Sequence, residues 1–306
     1  MNSPTLSSRN LAEPVPSASG GQGAPSGTPL VRVLHLSDIH CGHPFVGAHV
    51  DGALALARAG GWNAIVVSGD FSQRAREREF RQARELLDAL RTFAPVLTVP
   101  GNHDTAWWHA PFGVGDASRL HTGYRAWINE DIEPVLRVPG LSIVGLNSSW
   151  GMLSAALTWY PRDWRVKGGL TDAQLDRAAA QLAESPADDL RLLVVHHNVV
   201  RGNLSRRWGM KRPQLMLDRI AALNVDVVCT GHDHEERVEV VERRTGRFVI
   251  SAANTLSRRM RGRRASALNI IEATATDVTV SAWTFLDGAF IAGPARATMP
   301  RSHAGT

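Results

Sequence analysis

Five short runs of aliphatic and β-branched residues, each leaving directly into Asp, His or Asn, constrain this chain more than any other feature. VLHLSDIH ends in Asp38 and His40, IVVSGD in Asp70, and LTVPGNHD in Asn102, His103 and Asp104. LLVVHHN ends in His196 and His197, and VVCTGHDH in His232 and His234. Between the early runs lie AHVDGALALARAG and EREFRQARELLDALRTF, both of helical period. TDAQLDRAAAQLAES precedes the fourth run, with Thr171 and Gln174 spaced as a capping box. Short apolar runs alternating with helical segments predict βαβ units in a mostly parallel sheet, an α/β fold. In such a sheet, ligands bind beyond the carboxyl ends of the strands.

A single Asp after a strand is ordinarily a turn or helix cap, and a lone His a hydrogen-bonded loop residue. Five strand ends that all bring such groups to one edge defeat that reading jointly. Mixed Asp, His and Asn donors without a thiolate suit borderline or hard divalent ions such as Mn, Fe or Zn. Seven candidate ligands exceed the needs of one ion. They fit two ions about 3.5–4 Å apart, one carboxylate bridging, an arrangement suited to phosphoryl transfer.

The remaining sequence sets the bounds. With 306 residues and 43% hydrophobic content, the chain can bury a substantial core. Residues 1–29 are Ser-, Pro- and Gly-rich and are expected to form a disordered tail. Residues 30–290 read as one domain and 291–306 as a C-terminal tail. After Glu235 the texture changes to RVEVVERRTGRFVISAAN, ASALNIIEA and DVTVSAWTFLD, which predict antiparallel strands joined by tight turns such as RTGR. Two long connections, 106–133 and 150–169, are placed where functional loops occur.

No apolar run approaches the roughly 18 residues of a membrane span, and the N-terminus lacks the pattern of a secretory signal. A cytoplasmic location without membrane partners is the expectation. The two cysteines, Cys41 and Cys229, cannot form a disulfide framework and are expected as buried small hydrophobes. The net charge is 34 − 29 = +5, but only Lys167 and Lys211 are lysines, so the excess reflects arginine usage more than a basic surface.

The ordered set Asp38-x-His40, Gly69-Asp70, Gly101-Asn102-His103-Asp104, His196 and Gly231-His232-x-His234 resembles the signature of calcineurin-like metallophosphoesterases. The resemblance implies a four-layer α/β/β/α sandwich, two mixed β-sheets flanked by helices. It implies that Asp38, His40 and His234 bind one metal, Asn102, His196 and His232 a second, and that Asp70 bridges. His196 fits the family frame better than His197, which would line the site. It further implies hydrolysis of a phosphoester by a hydroxide held on two divalent ions, with His103 as the acid for the leaving group. Asp104 would orient His103.

For the substrate, SAANTLSRRMRGRRASALNII is similar to bacterial members likened to cyclic-nucleotide phosphodiesterases. A small phosphodiester, including cyclic nucleotides, is therefore the expected substrate, with a phosphomonoesterase or nucleotide pyrophosphatase as alternatives. Arg258 and Arg259 are candidates for a phosphate contact, although a solvated hairpin would also be arginine-rich. Trp107 is a candidate for stacking on a base, although such residues more often pack loops onto a core. A silent scaffold or a nucleic-acid-binding protein on the same fold is the non-enzymatic alternative. The complete ligand set argues against the first. Nothing resembling an extra duplex-binding domain supports nucleic acid as a partner.

Overall fold

The structure, a computed structural model, describes residues 30–109, 115–150, 167–262 and 264–302. The expected N-terminal tail, and Trp159 and Trp164 of the second long connection, lie outside the described residues.

The chain runs through β1 (Val31–Leu36), α1 (Gly47–Arg58), β2 (Ala64–Val67), α2 (Glu77–Arg91) and β3 (Val96–Thr98). It continues through α3 (Thr122–Trp127), β4 (Val135–Val138), β5 (Leu141–Gly145), α4 (Asp172–Ala183), β6 (Leu190–Val194), α5 (Pro213–Ala221) and β7 (Val227–Thr230). The hairpin β8 (Arg237–Arg243) and β9 (Gly246–Ala252) follows, then β10 (Ala267–Ala273), β11 (Asp277–Leu286) and β12 (Ala289–Pro300). One sheet has the order β12-β11-β10-β1-β2-β3 and the other β4-β5-β6-β7-β9-β8. Within them β1-β2-β3 and β5-β6-β7-β9 run parallel, and the outer strands antiparallel.

The period of two along each strand sorts side chains into layers. Leu34 and Leu36 of β1 and Ile65 and Val67 of β2 pack with Ala53 of α1 and Phe80, Leu87 and Leu90 of α2. Their alternates Val33 and Val66 meet Ile143, Leu192, Val227 and Val249 of the other sheet. Leu193, Val228 and Ile250 face Leu175 of α4 and Leu217 of α5. Helices, sheet, sheet and helices make the four-layer sandwich expected from the sequence. Truncating one of these buried leucines, such as Leu34, would cost about 2–5 kcal/mol.

Local chemistry sets the element ends. Thr171 and Gln174 form the capping box, Gln174 N donating to Thr171 Oγ1 at 3.2 Å and Thr171 N to Gln174 Oε1 at 2.8 Å. Arg244 and Thr245 make the tight turn between β8 and β9. Two expectations are corrected. The stretch from residue 291 is no tail through Pro300, because β12 pairs along β11 and covers the sheet edge. Pro294, which lacks a ladder donor, sits where the register shifts on that edge strand, a position that tolerates proline. In addition, β9 is not purely antiparallel: it pairs antiparallel to β8 but parallel to β7. Cys41 and Cys229 are buried free thiols. Burial, aided by nearby Asp104 and Glu79, pushes Cys41 up to about 12. Among the described residues no helix is long and apolar enough to cross a membrane.

Candidate metal centre

All five strand ends meet at one edge of the sandwich. The loop after β1 is laced to the loop after β2, with Asp38 N donating to Gly69 O at 3.0 Å and His40 N to Asp70 O at 2.9 Å. His232 N, beyond β7, donates to Asp38 Oδ2 at 2.9 Å, joining the two sheets at the site. His103 N donates to Asp70 Oδ1 at 2.9 Å.

The backbone is bent to bring these groups inward. Asp38, His40, Asp70, His232 and His234 all have positive φ, between 48° and 73°. Non-glycine residues rarely adopt this region, and each such residue costs on the order of 1 kcal/mol or more. Half of the ten positive-φ non-glycine residues among those described therefore belong to the candidate ligand set. Gly101 is not among them, because its backbone is extended at φ −96°, ψ 177°. A Cβ there would lie 2.0 Å from Asp70 Oδ1, so the position is glycine for space. At Gly231, a Cβ would meet Ser37 Oγ at 1.9 Å and Asp38 Oδ2 at 2.3 Å.

Ligand atoms of Asp38, His40, Asp70 and His234 lie within 4.8 Å of one another, all buried. His234 Nδ1 donates to the Arg259 carbonyl at 2.7 Å, which turns its Nε2 toward Asp38 Oδ1, 3.1 Å away. His40 Nε2 is 3.0 Å from the same Nε2, and Asp38 Oδ1 has no hydrogen-bond partner among the described residues. A second group adjoins the first through Asp70. His196 Nδ1 donates to Ser68 O at 2.8 Å, and its Nε2 stands 3.1 Å from Asn102 Oδ1 and 3.4 Å from Asp70 Oδ1. Asn102 Oδ1 is also 2.9 Å from His232 Nδ1. Carbonyls that fix the tautomer of an imidazole are the usual support of a metal ligand. Converging lone pairs with an orphaned buried carboxylate oxygen are chemistry a cation satisfies, and the donor set fits one.

For His40, His232, Asp38 and Asp70 the electrostatics agree with that fit. Burial pushes His40 down to about 4 and His232 to about 3, so both rings are neutral at pH 7, the form that ligates. Burial works against ionising Asp38, yet the neighbouring histidines, His234 foremost, hold it well below the carboxylate range. Asp70 is held low in the same way, by His196 and His103. Burial also opposes a charge on His196, but Asp70 overcomes it and pushes His196 up to about 9.

Of the other predicted residues, His103 packs edge-on against His40 with ring centroids 4.9 Å apart. Its Nδ1 donates to Gln73 O at 2.8 Å, and Arg259 Nη1 donates to its Nε2 at 2.9 Å. Asp104 does not orient that ring, which corrects the role expected for it. Its carboxylate accepts from Gly101 N at 2.9 Å, Phe71 N at 3.2 Å and Ser72 N at 2.8 Å, pinning the loops after β2 and β3 together. Burial and the charge of Asp70 push Asp104 up to about 7. His197 is buried behind the cluster, with Nδ1 2.8 Å from Ser148 Oγ and its ring 4.5 Å from that of His232. Trp107 pairs edge-on with the half-exposed Trp108 at 6.1 Å on a short turn. Arg258 is exposed, its backbone N donating to Pro44 O, and the structure brings Arg259 and not Arg258 to the site.

Sequence reasoning missed Gln73, whose carbonyl takes His103 and whose side-chain oxygen accepts from Arg259 at 3.3 Å. It missed Ser148 and the carbonyls of Ser68 and Arg259 as well. Only the side-chain residues carried a signal; a backbone carbonyl has none.

Comparisons with known proteins complete the picture. By fold, the chain is similar to a purple acid phosphatase from yellow lupin (Lupinus luteus), with TM-score 0.59 and 11% identity over 90% of this chain. That match covers 54% of the phosphatase, so the chain spans about half its length. It is similar too to GAP50, described as the anchor in the inner membrane complex of Plasmodium, with TM-score 0.50 and 13% identity over 90% of this chain and 89% of that one. A phosphopantetheinyl hydrolase from Mycobacterium tuberculosis aligns with TM-score 0.42 and 18% identity over 73% and 89%. At such identities the first two likenesses speak to the fold alone. A sequence search of curated proteins finds no significant match. The family profile described as calcineurin-like phosphoesterase matches residues 31–236, from the first strand to just past the last candidate ligand. With the profile spanning most of the chain, this protein belongs to the calcineurin-like phosphoesterase family.

Proposed function

We propose that the protein is a phosphodiesterase dependent on two divalent ions of the Mn, Fe or Zn class. The observation that carries this reading is the pair of orienting carbonyls, Arg259 O on His234 and Ser68 O on His196, which turn two Nε2 atoms toward Asp38 and Asp70. Asp38, His40, Asp70 and His234 would hold one ion. Asp70, Asn102, His196 and His232 would hold the other. Ions bound there would polarise the phosphoryl group and acidify water.

The protein's own part lies in positioning and proton transfer. Because the Gln73 carbonyl holds the Nδ1 proton of His103, that ring gains or loses a proton only at Nε2. Arg259 now occupies that atom, so a protonated His103 sheds the guanidinium. The freed Arg259 then reaches a phosphate oxygen while His103 Nε2–H is presented to the leaving oxygen. Asp104 stands away from the proton path and keeps the two loops in register. A silent scaffold would need the sheets but not five candidate ligands in the costly left-handed region, so the ligand geometry favours an enzyme.

A panel of phosphoesters, including 2′,3′- and 3′,5′-cyclic nucleotides and simple monoesters, assayed with Mn, Fe and Zn tests the reading. Turnover of diesters above monoesters supports it. Preference for monoesters replaces it with a phosphomonoesterase.

A further inference from the structure

A cleft of about 240 Å³ opens at His232, lined by Lys167, Arg206, Arg207, Trp208, Asp233 and Arg261 among others. Its charge is lopsided, four cations to one carboxylate. The carboxylate is engaged, because Asp233 Oδ2 accepts from Asn198 Nδ2 at 2.9 Å. The cations come from separate segments: Lys167 lies near the end of the second long connection, Arg206 and Arg207 sit in the loop after β6, and Arg261 lies before β10. Among the described residues, Lys167, Arg206 and Arg261 form no ion pair with a carboxylate, and Arg261 Nε is held by the carbonyl of Asp233 at 2.5 Å. Elsewhere in this chain arginines do find acids, as Arg219 does with Asp172 and Asp176 and Arg243 with Asp218. Lys167, Arg206 and Arg261, gathered with only the one engaged carboxylate into a concave site next to a wall formed by the half-buried Trp208, suit an anionic group.

We infer that this cleft binds a second phosphate-type anion on the substrate, so that the preferred ester carries an additional phosphate beyond the one cleaved. The inference rests on the phosphodiesterase reading for the cleavage and on the cleft for the added anion. His232 belongs to both, as candidate ligand and as cleft wall, so an ester seated at the cluster has its substituent beside Lys167 and Arg261. A monoanionic diester with no second charge would leave those cations unmatched.

Two esters with the same leaving group separate the claims. Thymidine 5′-(p-nitrophenyl phosphate) and its 3′-phosphorylated counterpart both release p-nitrophenol and differ by one phosphate. With Mn-loaded protein, kcat/KM should favour the 3′-phosphorylated ester by about tenfold or more, and Lys167→Gln/Arg206→Gln should bring the ratio close to one. A wild-type ratio near one overturns the inference while leaving the phosphodiesterase reading intact. If neither ester is cleaved, the failure counts against the phosphodiesterase reading and not against the cleft, and binding decides the cleft. In calorimetry with metal-free protein, thymidine 3′,5′-bisphosphate should bind about tenfold more weakly to Lys167→Glu than to wild type. Equal affinity, or no binding by the wild type, overturns the inference.

Discussion

Arg259 Nη1 donates to His103 Nε2 at 2.9 Å, capping the atom through which that imidazole would exchange its proton. The same residue supports His234, but through its backbone carbonyl. The two roles therefore separate on mutation. Arg259→Ala should retain full metal content, since the carbonyl remains, and should raise KM for a phosphodiester by about tenfold through loss of a charged phosphate contact. His103→Ala should also retain both ions while kcat falls by about 10²–10⁴. Elemental analysis beside steady-state kinetics checks both, and metal loss in His103→Ala would reassign that residue as a ligand.

Asp38 and Asp70 are buried carboxylates clustered with three histidines, so metal-free protein carries charge that a cation would compensate. Removing metal with a chelator should lower the thermal midpoint, and Mn at 100 times its dissociation constant should return about 2.7 kcal/mol per site. Differential scanning calorimetry of chelated and reloaded protein reads this without any activity assay. In Asp70→Asn the shift on adding Mn should be largely lost.

Space at Gly101 is needed because the loops after β2 and β3 nearly touch. Gly101→Ala drives a methyl into Asp70 Oδ1 and should cost at least about 1–3 kcal/mol together with metal content. Gly47→Ala, where the nearest atom to a new Cβ is 3.9 Å away at the start of α1, should be neutral or slightly stabilising. Urea midpoints at constant m-value compare the two.

What the sequence disclosed and what it withheld divide along one physical line. The ligand candidates stood out because Asp70 or His196 follows its own strand within two or three residues, and parallel pairing brings such ends to one edge. Asp104 was misread for a related reason. Adjacency to His103 suggested a pair, but the short helical turn at Asn102–Asp104 turns the carboxylate toward the amides of Phe71 and Ser72, thirty-odd residues away in sequence. Gln73, Ser68 and Arg259 act through carbonyls, which no side-chain pattern encodes. β12 was hidden because FIAGPARATMP mixes Gly, Pro and Ala, and its pairing with β11 rather than its own propensity makes it a strand.

His121 supplies a pH-dependent contribution away from the cluster. Asn147 Nδ2 donates to its Nε2 at 3.2 Å, and burial, then the charge of Arg125, pushes it down to about 4 from an ordinary 6.5. The unfolded chain thus binds a proton below about pH 6.5 that the folded protein refuses until about pH 4. Stability should fall as the pH drops through that window, by up to about 3 kcal/mol from this residue. His121→Gln should flatten the slope between pH 7 and 4.5 relative to wild type in urea titrations.

The central claim is that the Asp, His and Asn cluster holds two metals that make this protein a phosphodiesterase. The most direct test is turnover of bis(p-nitrophenyl) phosphate by chelated protein titrated with Mn, with bound metal counted in the same samples. The account predicts no turnover without metal and activity rising to a plateau at two ions per chain. Full occupancy at two ions with no cleavage of this or any other phosphodiester would contradict it.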